Sequence, residues 1–373
     1  MEFGICFGFR ISNLEFYHMD INQLLEKAIT TNASDLHLMV GIPPVYRING
    51  MLQQLSTIPP LTDQQLEQMV MSLLSPAQKD MFVTNRALDF SYGYGGGNFG
   101  DKGRFRVNIY YQRNSVAAAF RLLPPKVKTI EELKLPPICH KLATLKHGFV
   151  LITGPTGHGK TTTIASIVNE INMTRAANIL TVEDPIEYVY PKGRSIISQR
   201  ELGHDTLSWA ESLKSALRED PDVVIVGEMR DPESIASAIT IAETGHLVLS
   251  TLHTNSAAQT IDRIIDSFPE AQQNQVKIQL AATLEAVVSQ RLIPAIDGQR
   301  IVATEVLLAT NAVRANIREG KTHLIDSTIE TSSEEGMNSL EAALAQLVKE
   351  GIITLDVAQA YALRPESLAR MMG

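Results

Sequence analysis

Hydrophobic positions fall into two regimes along the chain. The first begins at Asp20, where Ile21, Leu24, Leu25 and Ala28 recur at spacings of three and four. That spacing predicts a helix with one buried face, and Asp20 suits its N-cap. A strand over 44–48 ends in Asn49-Gly50, a hairpin signal. Helices are expected over 62–74 and from Ser75 onward. Alternating patterns over 88–92, 104–111 and 116–122 then predict strands, with a glycine-dense loop over 93–103. Leu123-Pro124-Pro125 breaks the pattern. In the second regime, continuous apolar runs at 149–152, 179–182, 223–226 and 247–252 alternate with helical patterns at 162–172, 209–217 and 234–243. Such alternation is what a parallel α/β sheet requires. One more strand is expected at 301–307, followed by a helical tail from about 308.

The domain reading follows: an upstream extension over 1–18 with Met19 as the natural start, a small α+β domain over 19–124, a charged linker over 125–136, and an α/β domain over 137–373. The 373 residues suit two domains, and 44% hydrophobic with 20% charged content suits a globular protein. A net charge of -8 argues against a sequence-independent grip on nucleic acid. Two cysteines, Cys6 and Cys139, are too few for a disulfide framework or a four-cysteine zinc module. No uninterrupted apolar stretch is long enough to span a bilayer, so direct membrane insertion is not expected.

The densest chemistry lies between the first apolar run and its helix. Gly154, Pro155, Thr156, Gly157, His158, Gly159, Lys160 and Thr161 spell a complete phosphate-binding loop, GPTGHGKT, and Thr162 continues into the helix. Glycines allow the backbone amides to approach phosphate oxygens, and the helix amino end adds partial positive charge. Lys160 is placed for the β- and γ-phosphates and the Thr161 hydroxyl for Mg²⁺. Two strand ends carry acids: Glu228 after the run 223–226, and Glu183, Asp184 and Glu187 after 179–182. Glu228 suits the metal shell, and so does Glu187, the chosen general base; Glu183 or Asp184 would support the metal or the loop. His246 and His253 flank the run 247–252; facing opposite sides of one strand, they should not share a metal. One is read as a phosphate-side hydrogen-bond donor and the other as a strut, the ordinary alternative being a core histidine held by hydrogen bonds. Arg104, Arg106, Arg113 and Arg121 lie on strands of the first domain, where guanidinium forks would suit phosphate and surface ion pairs are the ordinary alternative.

Taken together, GPTGHGKT, TVEDPIEYVY at 181–190, VVIVGEMRDPES at 223–234, AETGHLVLSTLHT at 242–254, GRFRVN at 103–108, FRLLP at 120–124 and SDLHL at 34–38 resemble the secretion ATPase superfamily of type II secretion and type IV pilus systems. The likeness is to its PilT-type retraction branch. It implies a PAS-like first domain and a RecA-like P-loop ATPase domain, with ATP and Mg²⁺ as cofactors. It also implies Glu187 as catalytic glutamate, Glu228 as the Walker B acid, His246 and His253 as the His box, and Arg106 and Arg121 as arginine fingers. The implied assembly is a homohexamer that powers pilus retraction and twitching motility. It would be cytoplasmic and peripheral at the inner face of the inner membrane, working on the pilus machinery through a platform protein and not on nucleic acid. AVRANIRE at 312–319 resembles the retraction-associated motif AIRNLIRE with departures at Val313, Ala315 and Asn316; His158 replaces the usual serine. A PilU-type accessory motor, an assembly motor, a nucleic-acid translocase and a nucleotide switch are the alternatives.

Overall fold

The computed structural model describes residues 20–95, 102–229 and 231–373. The expected extension over 1–18 and most of the 93–103 loop lie outside the described residues. The chain divides into two compact units at Leu123/Pro124.

In the first unit, helix α1 (Ile21–Thr30) starts at Asp20, whose carboxylate accepts the Asn22 amide. Strands β1 (Asp35–Leu38), β2 (Val45–Ile48) and β3 (Met51–Gln54) follow, with Asn49 and Gly50 both at positive φ between β2 and β3. Helices α2 (Asp63–Met71) and α3 (Pro76–Asn85) each open with a reciprocal capping box, Thr62 with Gln65 and Ser75 with Gln78. Strands β4 (Ala87–Tyr94), β5 (Gly103–Gln112) and β6 (Ser115–Leu122) complete an antiparallel sheet in the order β3-β2-β1-β6-β5-β4. Period-two alternation sends Leu36, Phe105, Val107, Ile109 and Phe120 into the core with Ile21, Leu24, Leu25, Leu66, Val70 and Phe82. The other face carries a polar row. Arg47 pairs with Asp35, Asp35 with Arg121, Arg121 with Arg106, and Arg106 with Ser91, in direct cross-strand register.

The second unit runs through α4 (Ile138–Thr144), β7 (Gly148–Thr153), α5 (Lys160–Thr174), β8 (Asn178–Glu183), β9 (Ile196–Glu201), α6 (Trp209–Ala216), β10 (Val223–Val226), α7 (Pro232–Glu243) and β11 (Leu247–Leu252). It continues with α8 (Ala257–Asp266), α9 (Glu270–Thr283), β12 (Leu284–Pro294) and β13 (Arg300–Leu308). Helices α10 (Asn311–Arg318), α11 (Ile325–Thr331), α12 (Leu340–Lys349), α13 (Leu355–Tyr361) and α14 (Pro365–Met372) close the chain. The sheet order is β13-β12-β7-β11-β10-β8-β9, parallel throughout except for the β12/β13 pair. β7, β10 and β11 are buried at every position, as strands covered on both faces must be. Phe149 and Leu151 of β7 pack into one core layer, and Val150 and Ile152 into the other.

Two expectations need correction. Residues 125–136, expected as a linker, belong to the second unit: Ile130 and Leu135 are buried with Cys139, Leu142 and Val168. The charge of that stretch sits on the intervening exposed positions. β12 was not expected at all, since Leu284 follows the last helical residue of α9 directly, with neither glycine nor proline to mark the change.

The closing helices are tied to the sheet by charge as well as by apolar packing. Arg364 Nη2 meets Glu305 at 3.2 Å and Glu341 at 3.0 Å, with the two carboxylate side chains 1% and 0% exposed. Glu305 also accepts the Ala257 amide at 2.7 Å, and Glu341 accepts the Leu363 and Arg364 amides. Removing the cation strands two buried acids, a loss of about 3–5 kcal/mol, whereas an exposed pair such as Lys321 with Glu319 is screened by solvent and contributes little. Urea unfolding is therefore expected to show a large destabilisation for Arg364→Met and almost none for Lys321→Ala.

Candidate functional site

β7 lies between β11 and β12; the chain leaves it for β8 on the β11 side and later crosses past it from β11 to β12, and the crevice at the carboxyl end of such a reversal is where ligands of open α/β sheets bind. The loop from Gly154 to Gly159 fills that crevice. Gly154 takes φ +142°, and a Cβ there would stand 2.3 Å from the Gln290 carbonyl oxygen of β12. Gly157 and Gly159 are also left-handed, at +79° and +81°. Lys160, the first residue of α5, is 7% exposed. Its ammonium donates to the carbonyls of Gly154 at 2.8 Å and Pro155 at 3.1 Å, and to His253 Nδ1 at 3.2 Å. Burial pulls the amine below its usual pKa, while Glu228 and Glu187 pull it back up.

The His253 ring joins two strand ends. An ammonium can only donate, so Nδ1 accepts from Lys160. The ring proton then sits on Nε2, which lies 3.1 Å from Glu228 Oε1. Thr156 Oγ1 lies 3.1 Å from Nδ1. Glu228 reaches this place because Gly227 lets β10 run close beside β8: a Cβ on Gly227 would be 3.2 Å from the Val182 carbonyl and 3.3 Å from Glu183 Cα. Thr251 fixes the same turn by donating to the Gly227 carbonyl at 2.6 Å.

The acidic strand end divides by burial. Glu183 is buried and accepts from Thr181 Oγ1 at 2.7 Å and Gln199 Nε2 at 3.1 Å. Desolvation pushes its carboxyl up to about 7, against those two hydrogen bonds and with the charge of Glu187 adding to the rise. The negative charge of Glu187 acts on Lys160 and Tyr188, raising the pKa of each. The turn between them is anchored by the Ile186 amide, which donates to Glu201 at 3.1 Å. Tyr188 OH lies 2.9 Å from Thr162 Oγ1, joining this turn to α5.

The structure thus brings together the loop from Gly154 to Thr162, Glu187, Glu228 and His253. It does not bring His246 there. His246 precedes β11 at its amino end, where its carbonyl accepts the Gly148 amide and Nδ1 lies 3.0 Å from both the Thr244 hydroxyl and the Ile241 carbonyl. A strand of this length, at about 3.3 Å per residue, separates it from His253, so within one chain it supports the end of α7. Arg106 and Arg121 belong to the first unit, where Asp89 binds Arg106 and Asp35 binds Arg121 at 3.0 Å. Arg104 donates to Ser91 at 2.7 Å. Arg113, expected on a strand, instead shares the β5–β6 turn with Asn114, both at positive φ. Gln290, Tyr188 and Gln199 are site residues that motif spacing alone did not single out.

Comparison with known proteins places this geometry in context. The family described as type II/IV secretion system protein matches residues 129–316, half of the chain. A Pseudomonas aeruginosa protein described as type IV pilus retractation ATPase PilT is 42% identical over 94% of this chain and 100% of its own length. A twitching motility protein of Neisseria gonorrhoeae is 44% identical over 87% of this chain and 86% of its own. The chain belongs to the type II/IV secretion system protein family. The pilus ATPase PilU of Pseudomonas aeruginosa is 38% identical over 95% of this chain and 91% of its own. Among solved structures, a pilus retraction motor PilT with bound ADP superposes with a TM-score of 0.87 at 44% identity, covering 94% of this chain and 99% of that one. DotB of Legionella pneumophila gives 0.80 at 28% identity, covering 91% and 94%.

Two expected outcomes test the site. Gly154→Ala drives a methyl group into the Gln290 carbonyl, so binding of a fluorescent ADP analogue should fall at least tenfold; unchanged affinity would remove the close approach from the account. Glu183 has a folded-state pKa above its ordinary 4.5, so the stability it contributes is present below that value and lost as pH rises towards about 7. Across that window the melting temperature of the wild type should fall relative to that of Glu183→Gln, and parallel curves would contradict the assignment.

Proposed function

We propose that the chain is an ATP-hydrolysing motor of type IV pilus retraction. The observation that carries this reading is the meeting of Lys160, His253 and Glu228 at one sheet end, in a chain that aligns over nearly its whole length with a retraction ATPase. As a P-loop ATPase of this family it converts ATP and water to ADP and phosphate. The loop amides and Lys160 hold the phosphates, and Glu187 takes the proton of the attacking water. His253 reports the position of Lys160 to Glu228. The Thr161 hydroxyl, Glu228 and Glu187 are hard oxygen donors of the kind Mg²⁺ prefers. Mg²⁺ is usually held by one or two protein side chains together with substrate phosphate oxygens. That ion would supply charge neutralisation on the phosphoryl oxygens.

The finer assembly belongs to the same proposal. The second unit is RecA-like, as the strand order around β7 supports, and the antiparallel first unit with helices on one face is PAS-like. Six copies form a ring, in which Arg106 and Arg121 of one copy act in trans on the nucleotide of its neighbour. The ring works in the cytoplasm against the inner face of the inner membrane, on the pilus machinery through a platform protein. Among the described residues no helix is long and apolar enough to cross a membrane.

Glu187→Gln should retain nucleotide affinity while steady-state turnover drops by about 10²–10⁴, the usual worth of a positioned general base. A variant that still turns over normally would move the base elsewhere. In cells, loss of the gene should leave pili assembled and unable to retract; loss of the pili themselves would favour an assembly motor instead. Clear stimulation of ATP turnover by DNA or RNA would favour a translocase.

A further inference from the structure

β12 runs past the end of its neighbour. Its parallel ladder with β7 stops at Ser289 opposite Thr153, while its antiparallel ladder with β13 continues to Pro294. From Gln290 onward, therefore, the edge of β12 that β7 has left faces the phosphate loop. A buried backbone amide on such an edge needs an acceptor. The Leu292 amide finds it in a side chain: it donates to His158 Nδ1 at 3.0 Å. One residue pair earlier, Gln290 Nε2 donates to the His158 carbonyl at 2.6 Å, and Gln290 Oε1 accepts from Thr163 of α5 at 2.8 Å. Both the backbone and the ring of His158 are thus fastened to one strand.

We propose that His158 is a positioning residue for nucleotide, its unprotonated Nδ1 taking the Leu292 amide and so holding the phosphate loop against β12 in the shape that receives phosphate. It rests on the nucleotide-binding reading of the loop and adds a named acceptor to it. The ring is kept in the accepting form by its surroundings. Burial lowers its pKa first, and the cations of Arg291, Lys160 and Arg300 lower it further. The next residues along β12 carry the hold outward, since Ile293 packs with Leu340, Leu344 and Leu368 of the closing helices.

The test uses the full-length protein, a fluorescent ADP analogue and steady-state ATP turnover. Asparagine places an oxygen acceptor where histidine has Nδ1, whereas alanine places nothing there. His158→Ala should bind the analogue about fivefold more weakly, the equivalent of one neutral hydrogen bond at about 1 kcal/mol, with the loss carried mainly by KM. His158→Asn should return to within about twofold of the wild type. If the alanine variant melts early, His158→Ser, which keeps a small polar side chain, takes its place in the comparison. Alanine binding as well as wild type, or asparagine as poorly as alanine, would overturn the inference. A wild type that binds no nucleotide would overturn the reading of the loop itself.

Discussion

A buried ammonium is the constraint on which the nucleotide end depends. Lys160 is 7% exposed, and a cation removed from water survives only if oxygen or nitrogen acceptors replace its hydration. Two loop carbonyls and His253 Nδ1 do so, and each acceptor imposes a further condition. The carbonyls can turn inward only if Gly154 adopts a conformation that side-chain-bearing residues avoid. The imidazole can accept only if its proton is held elsewhere, and Glu228 holds it. The close passage at Gly227 in turn places Glu228. Loop, histidine, acid and glycine are thus successive conditions of one electrostatic requirement.

What could be read from the sequence follows from how local each cause is. The phosphate loop and the acids at 183–187 and 228 were legible because spacing alone links them to buried strand ends. β12 was not legible, because the chain passes from Thr283 to Leu284 without a breaker and its apolar positions suit either state. Gln290 was hidden with it, since a polar residue matters here only through a strand that outruns its neighbour. Which of His246 and His253 meets the loop was hidden for a different reason. Both flank the strand, and only the direction of the parallel sheet decides which end meets the ligand. In the 125–136 segment, exposed charge masked the two apolar anchors, Ile130 and Leu135.

The two units solve the problem of buried polarity differently. Among the described residues, the second unit's buried ions include Lys160 and Glu183 by the loop crevice and the cluster around Arg364, where Glu305 is pushed up to about 7 by burial even with a guanidinium at 3.2 Å. Each cluster joins elements distant in sequence, β7 with β10 and β11 in one case and β13 with α12 and α14 in the other. The first unit carries its pairs on one sheet face, where the Arg121 side chain is largely exposed but its partner Asp35 is only 12% exposed.

The pairing on that sheet face has a further consequence. Arg121 is 69% exposed and Arg106 36%, yet each already has an aspartate partner, Asp35 and Asp89. An arriving anion does not meet an idle guanidinium; it must outcompete a carboxylate for it. Freeing either guanidinium therefore carries a cost of its own, because it leaves an aspartate short of a cation.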